Sequence, residues 1–243
     1  YGVLSEYMAV CATGLPASSL KSLRVMLCQR FLTEQLDFTK IAKEVVKVSD
    51  FAELLDCVIM PADSHGKLGG KGAGLLLAYW ILSRHQGDTE ATDPVRVPRT
   101  WYIASDAVTD FLDYNDLEEV WEQKFKDIST IRREYPNIIQ LFKNSAFPPD
   151  LVKGLSMALD DLGDVPVIVR SSSLLEDRLG TAFSGKYKSL FLANQGSKEE
   201  RLAALVDAVA EIYASLLGPD PIEYRRDRGL LEFDEQMGIL IQE

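Results

Sequence analysis

Three clusters of residues in this chain have the types and spacing to hold an anion. The first is Gly69-Gly70-Lys71-Gly72-Ala73-Gly74, which opens an apolar stretch. Glycines let backbone N–H groups approach an anion closely, a helix N-terminus adds partial positive charge, and the lysine adds a full one. The pattern is not a Walker A loop: His65 stands where the first glycine should be, and Gly72 stands where Ser or Thr would hold magnesium. It is not a dinucleotide fingerprint either, since no clear strand precedes it. On these residues alone, a tight glycine turn with a solvated lysine reads equally well.

The second cluster is Arg170-Ser171-Ser172-Ser173, followed by Glu176-Asp177. An arginine at the end of an apolar strand has rigid support, and its planar fork matches two phosphate oxygens. Three hydroxyls beside it can donate to the same anion. The alternative is an arginine paired with Glu176 or Asp177 in a serine-rich turn. The third cluster is Phe183-Ser184-Gly185-Lys186-Tyr187-Lys188-Ser189, either a loop closing over a nucleotide or an exposed hairpin turn. Other chemistry is thinly represented. His65 and His85 lack partners at metal-ligand spacing, and no Gly-x-Ser-x-Gly is present. Asp160, Asp161, Asp164, Glu232, Asp234 and Glu235 read as solvated loop charges.

The elements that must carry these clusters belong to an acidic chain. Its 243 residues hold 26 basic and 37 acidic side chains, a net charge of -11 with pI near 4.8. Such a balance argues against a general nucleic-acid or anionic-membrane surface, while a local basic pocket is compatible with it. Cys11, Cys28 and Cys57 show no CxxC spacing and read as reduced thiols in a cytoplasmic protein. The apolar run Ala73 to Leu82 is about half of the roughly 20 residues a membrane helix needs, so no membrane span is expected. The chain opens on Tyr1 without a signal-peptide pattern and closes on a strand-like run, so both ends are expected to be cut.

Residues 1–62 read as a helical extension. Leu20, Leu23, Leu27 and Phe31 recur at helical spacing behind Ser18 and Ser19, and Phe51, Leu54, Leu55, Val58 and Ile59 behind Ser49 and Asp50. After the buried helix from Ala73 to Leu82 and a polar loop to Asp93, Pro98 to Ile103 predicts a strand. A helical insertion over about 105–162 follows, capped at Ser105-Asp106 and broken by Pro136 and by Pro148-Pro149-Asp150. Val165 to Val169 predicts a buried strand ending at Arg170, and Ala182 to Asn194 a further strand. Ser197 and Glu200 form a capping box for an amphipathic helix that Gly218-Pro219 ends, and Met237 to Glu243 reads as a last strand. Strand pieces separated irregularly by helices give an α+β class.

Taken in order, four motifs resemble the N-terminal nucleotide-binding domain of the pyruvate phosphate dikinase and phosphoenolpyruvate synthase family. They are Gly69-Gly70-Lys71-Gly72-Ala73, then Val97-Pro98 leading to Trp101-Tyr102-Ile103, then Val169-Arg170-Ser171-Ser172 with Glu176-Asp177, and finally Tyr213-Ala214-Ser215-Leu216 followed by Tyr224-Arg225 and Ile241-Gln242. The resemblance covers about Leu68 to Glu243. It implies an ATP-grasp-like first lobe over 63–243, cut at the hinge to a second lobe. It implies ATP held by Gly69, Gly70, Lys71, Gly72, Arg170, Ser171, Ser172, Gly185, Gln242 and Glu243, with Lys71 and Arg170 on the phosphates and Gln242 beside the adenine. Magnesium ligands are expected beyond residue 243, with none in this chain. The implied activity passes a phosphoryl group from ATP through a phosphohistidine on another domain to pyruvate, with pyruvate or phosphoenolpyruvate bound by other domains. A homo-oligomer is left open. Lys186-Tyr187 departs from the paired glutamines usual in that loop, and the extension is absent from short family members. These departures motivate two other readings: a non-catalytic nucleotide-sensing or regulatory module, and an interaction platform in residues 1–62.

Overall fold

The computed structural model describes residues 15–61, 63–84, 96–175, 185–233 and 235–243. The readings made above on Cys11, His85, Glu176, Asp177, Phe183, Ser184 and Asp234 lie outside them. Five short runs, rich in β-branched and aromatic residues, form the strands β1 (Val58–Ile59), β2 (Thr100–Ile103), β3 (Val167–Ser173), β4 (Ser189–Leu192) and β5 (Met237–Gln242). They make one sheet in the order β1-β2-β5-β3-β4. β1 joins β2 in parallel, and the other pairings are antiparallel. All six residues of the central β5 are buried, as a strand covered on both faces requires. Helices and mixed strands together bear out the α+β class.

The register sorts side chains onto two faces, because successive residues of a strand point opposite ways. Trp101, Ile103, Val167, Val169, Ile239 and Ile241 enter one core with Leu205, Val209, Ile212 and Tyr213 of helix α8 (Lys198–Ala214). This helix starts on the expected capping box, with Ser197 Oγ accepting from Glu200 N at 3.2 Å and Glu200 Oε2 accepting from Ser197 N at 2.8 Å. On the opposite face, Tyr102 and Leu240 pack under helix α4 (Gly69–Arg84), through Ala73 and Trp80. Farther along that face stand Ile168 and Arg170, half-buried, and Ser189 and Phe191, exposed. Phe191 is 83% exposed.

Helices α1 (Ala17–Leu27), α2 (Leu36–Val45) and α3 (Val48–Leu55) lie behind α4, with a π turn over Cys28–Leu32. Leu27, Leu32, Phe51 and Val58 share one core with Trp80, Tyr102 and Leu240, so residues 15–61 pack as a layer of the same body. The helix expected over Phe51 to Ile59 does not reach Ile59. It ends at Leu55, and the β-branched pair Val58–Ile59 is drawn into the sheet by Tyr102 N donating to Cys57 O and Ala104 N to Ile59 O, both at 2.9 Å. α1 also starts earlier than its serines predict, at Ala17 behind Pro16.

The stretch between β2 and β3 is helical, as expected: α5 (Ala107–Tyr114), a 3-10 turn over Glu118–Phe125, α6 (Ile128–Asn144) and α7 (Pro149–Leu162). Pro136 does not break α6. Buried Ile131 and Phe142 on either side anchor the helix, and this packing outweighs the one donor a proline removes. Asp106 does not cap α5 with its side chain. Its carboxylate instead takes Ser64 Oγ (2.8 Å), His65 N (2.7 Å) and Gly66 N (2.8 Å), fixing the approach to the glycine-rich segment. α9 (Pro219–Asp227) follows α8 after a 3-10 turn. Among the described residues one helical run, Lys198–Asp227, has the length and mean hydropathy (1.4) to cross a bilayer, and 61% of that window is buried within the fold.

Candidate functional site

The glycine-rich start of α4 docks on the far end of β3. Gly69 has φ +76°, and a Cβ there would stand 1.7 Å from the Ser172 carbonyl oxygen, so the contact admits glycine alone. Gly72 N donates to Ser172 Oγ at 3.1 Å, which satisfies one of the N–H groups a helix start leaves unpaired. Lys71 Nζ donates to Ser171 O at 2.9 Å and Ser171 Oγ at 3.3 Å. The first two sequence clusters, 100 residues apart, therefore meet. Gly70 is half-buried between them. Ser171 and Ser172 are fully buried. The Ser171 hydroxyl bonds Lys71 and the Ser172 hydroxyl bonds Gly72 N, so both seat the helix.

Arg170 lies inside β3, which runs on through Ser173 rather than ending at the arginine. It is neither in a turn nor at a strand terminus. Its Nη1 donates to Gln242 Oε1 on β5 at 3.1 Å, and Gln242 Nε2 donates to Thr100 Oγ1 on β2 at 3.0 Å. Gln242 is 4% exposed, which leaves its amide little access to solvent. Glu243 follows it and is gripped by Arg99: Nε reaches Oε2 at 2.8 Å and the backbone N reaches Oε1 at 3.3 Å. These bonds hold the Glu243 carboxyl below the ordinary range. Arg99 also donates to Asp161 O (2.7 Å) and Leu162 O (3.1 Å) in the last turn of α7. Sequence reasoning passed over Arg99 and Thr100. The available signal was two polar residues between Pro98 and the apolar Trp101-Tyr102-Ile103.

The third cluster does not join the first two through its lysines. Lys186 Nζ lies 5.4 Å from the Tyr224 ring centre, and Lys188 pairs with Glu211 at 2.6 Å. Gly185, with φ +76°, turns the chain into this segment. Tyr187 points inward and donates to Glu235, to whose Oε1 Ser173 Oγ also donates at 2.5 Å. Arg225 Nη1 stands 3.0 Å from Glu235 Oε2 as an ion pair, with both side chains buried. Glu235 is thus no solvated loop charge, contrary to the expectation. Burial raises its pKa, while Arg225 and the two hydroxyls act in the lowering direction. Asp160 and Asp164 do pair at the surface, with Lys198 (2.8 Å) and Arg201 (2.7 Å), and Asp161 accepts from Trp101 Nε1 (2.8 Å).

The structure is an α+β domain in which Arg170 lies on one sheet face and the helix start that carries Lys71 docks on the same strand. Residues 65–243 match the family model described as pyruvate phosphate dikinase, AMP/ATP-binding domain, and the chain belongs to that family. Two relatives carry further detail. The chain is 25% identical over 159 residues to a phosphoenolpyruvate synthase of Aquifex aeolicus, covering 61% of this chain and 18% of that protein. It is 26% identical over 182 residues to a rifampicin phosphotransferase of Streptomyces sviceus, covering 72% of this chain and 19% of that protein. The chain therefore spans about a fifth of the length of the curated relatives it matches.

Proposed function

We propose that this chain is the ATP-binding part of a phosphoenolpyruvate synthase-like dikinase, built as the first lobe of an ATP-grasp-like fold. In this reading ATP lies along the β3–β5 face. Its phosphates reach Lys71 and Arg170, and its base lies toward Gln242 and Glu243. Phosphoryl transfer asks mainly for positioning and charge neutralisation, so two fixed cations suit it. The single observation that carries the reading is that Lys71, from the glycine-rich helix start, bonds Ser171, the residue next to Arg170 on β3. The phosphoryl group then passes through a histidine on another domain to pyruvate. Among the described residues no three His, Cys, Asp or Glu side chains come together as a metal site. In this reading the magnesium ligands lie beyond residue 243.

The test is ATP affinity and AMP formation in the full-length protein, compared with its Lys71→Ala and Arg170→Ala variants. Each variant is expected to bind ATP roughly 10- to 100-fold more weakly, the equivalent of about 1–3 kcal/mol for a lost charge-assisted contact. Unchanged affinity in both would sink the site. Pyruvate and rifampicin, offered in parallel as acceptors, separate the chemistries that the two relatives' names describe.

A further inference from the structure

We infer that Thr100 is a positioning residue for Arg170, acting through Gln242. The inference rests on the reading of Arg170 as a phosphate ligand. Thr100 Oγ1 donates to Pro98 O at 2.9 Å. A threonine hydroxyl carries a single proton, so with that proton committed Oγ1 can only accept from Gln242. The NH2 of the Gln242 amide must therefore face Thr100, at 3.0 Å, and its oxygen must face Arg170 Nη1, at 3.1 Å. A flipped amide would set NH2 against a guanidinium, which has five donors and no acceptor. The chain of bonds has one direction, from the arginine through the amide to the hydroxyl to the Pro98 carbonyl.

The sheet holds the three side chains in register. Thr100 stands opposite Gln242 across β2 and β5, Gln242 stands opposite Ile168 across β5 and β3, and Arg170 is two residues along β3 on the same face. Gln242 is nine-tenths buried, so it has little water to replace a lost partner. Without the threonine oxygen, the amide gains by rotating its NH2 elsewhere, and Arg170 then loses the acceptor that holds Nη1. Removing one hydroxyl on β2 would loosen a cation on β3.

Four variants of the full-length protein test this: Thr100→Val, Thr100→Ser, Arg170→Ala, and Thr100→Val with Arg170→Ala. ATP and adenosine affinities are measured for each by calorimetry, with the unfolding midpoint on the same samples. Thr100→Val is expected to weaken ATP by about 5- to 20-fold, the scale of one lost orienting hydrogen bond, and adenosine by clearly less, because the turned amide touches the base while the loosened Arg170 touches only the phosphates. Thr100→Ser should restore ATP binding. On the Arg170→Ala background the valine should add less than about twofold, because the two residues act as one unit. If Arg170→Ala binds ATP normally, the phosphate reading of Arg170 fails first. If Arg170→Ala is weak while Thr100→Val is normal or fully additive, the positioning role alone is overturned. Equal loss of ATP and adenosine in Thr100→Val would also overturn it, since the hydroxyl would then serve the base or the fold. Thr100→Ala repeats the deletion should the valine variant not fold.

Discussion

Gly69 and Gly74 lie five positions apart in one glycine-rich cluster, and the structure gives them opposite roles. Gly69 combines φ +76° with a Cβ position 1.7 Å from the Ser172 carbonyl. Gly74 is exposed on α4, with nothing within 4 Å of its Cβ position. Gly69→Ala should destabilise the protein by about 3 kcal/mol or more, because backbone, not a yielding side chain, blocks the methyl group. Gly74→Ala should stabilise it by about 0.5–1 kcal/mol through helix propensity. Urea unfolding of both variants checks the pair, and equal effects would refute the assignment. The sequence shows why the cluster suits an anion, through its glycines and its lysine. It hides the packing roles, because a glycine needed for close approach and a glycine in open space are the same letter. Ser171 and Ser172 were hidden likewise. Their hydroxyls read as anion donors until the strand was seen to bury them against α4.

At the scale of elements, the Arg225–Glu235 pair ties α9 to the chain entering β5, and Ser173 and Tyr187 add the end of β3 and the approach to β4. Glu235 has its folded pKa raised, so its contribution to stability is full below the unfolded value near 4.5 and is lost as pH rises through the folded pKa. Arg225 opposes that loss. Arg225→Met removes the opposing charge, raises the folded pKa further and carries the loss to higher pH. The stability gap between wild type and variant should therefore widen from pH 5 toward about 3–5 kcal/mol at pH 8, the range for an uncompensated buried charge. A gap that stays constant across that range would show that only the arginine's bonds to Leu216 O and Pro221 O matter. Most elements were legible where periodicity and caps agreed, as in α8 with its capping box and in the buried run of β5. The misreadings have physical causes. A two-residue strand such as β1 has no period to detect, and Pro136 and Glu235 take their meaning from distant packing partners. Thr100 looked like an ordinary strand former because β-branched residues favour strands for reasons unrelated to hydrogen bonding.

Across the whole molecule, a net charge of -11 leaves cations as a minority, and the structure brings two of them to neighbouring positions on β3, Arg170 within it and Lys71 on Ser171. The helical layer before residue 65 lies outside the family match, yet it supplies Leu27, Leu32, Phe51 and Val58 to the core that covers Tyr102 and Leu240. A chain starting at residue 65 should lose cooperative unfolding and become prone to aggregation, because Trp80 and its neighbours would face water. Circular dichroism melts and size-exclusion profiles would show this, and a monomeric truncated chain with a sharp melt would instead make the layer dispensable to the fold. The sheet order carries one more consequence. Among the described residues β5, made after the other four strands, is the strand that joins the β1–β2 pair to the β3–β4 pair. While the chain is being synthesised, those pairs wait as two ribbons with bare edges, and neither can join the other until residues 237–242 have left the ribosome. A ribosome that stalls before Met237 would release a client for chaperones and proteases rather than a smaller folded domain.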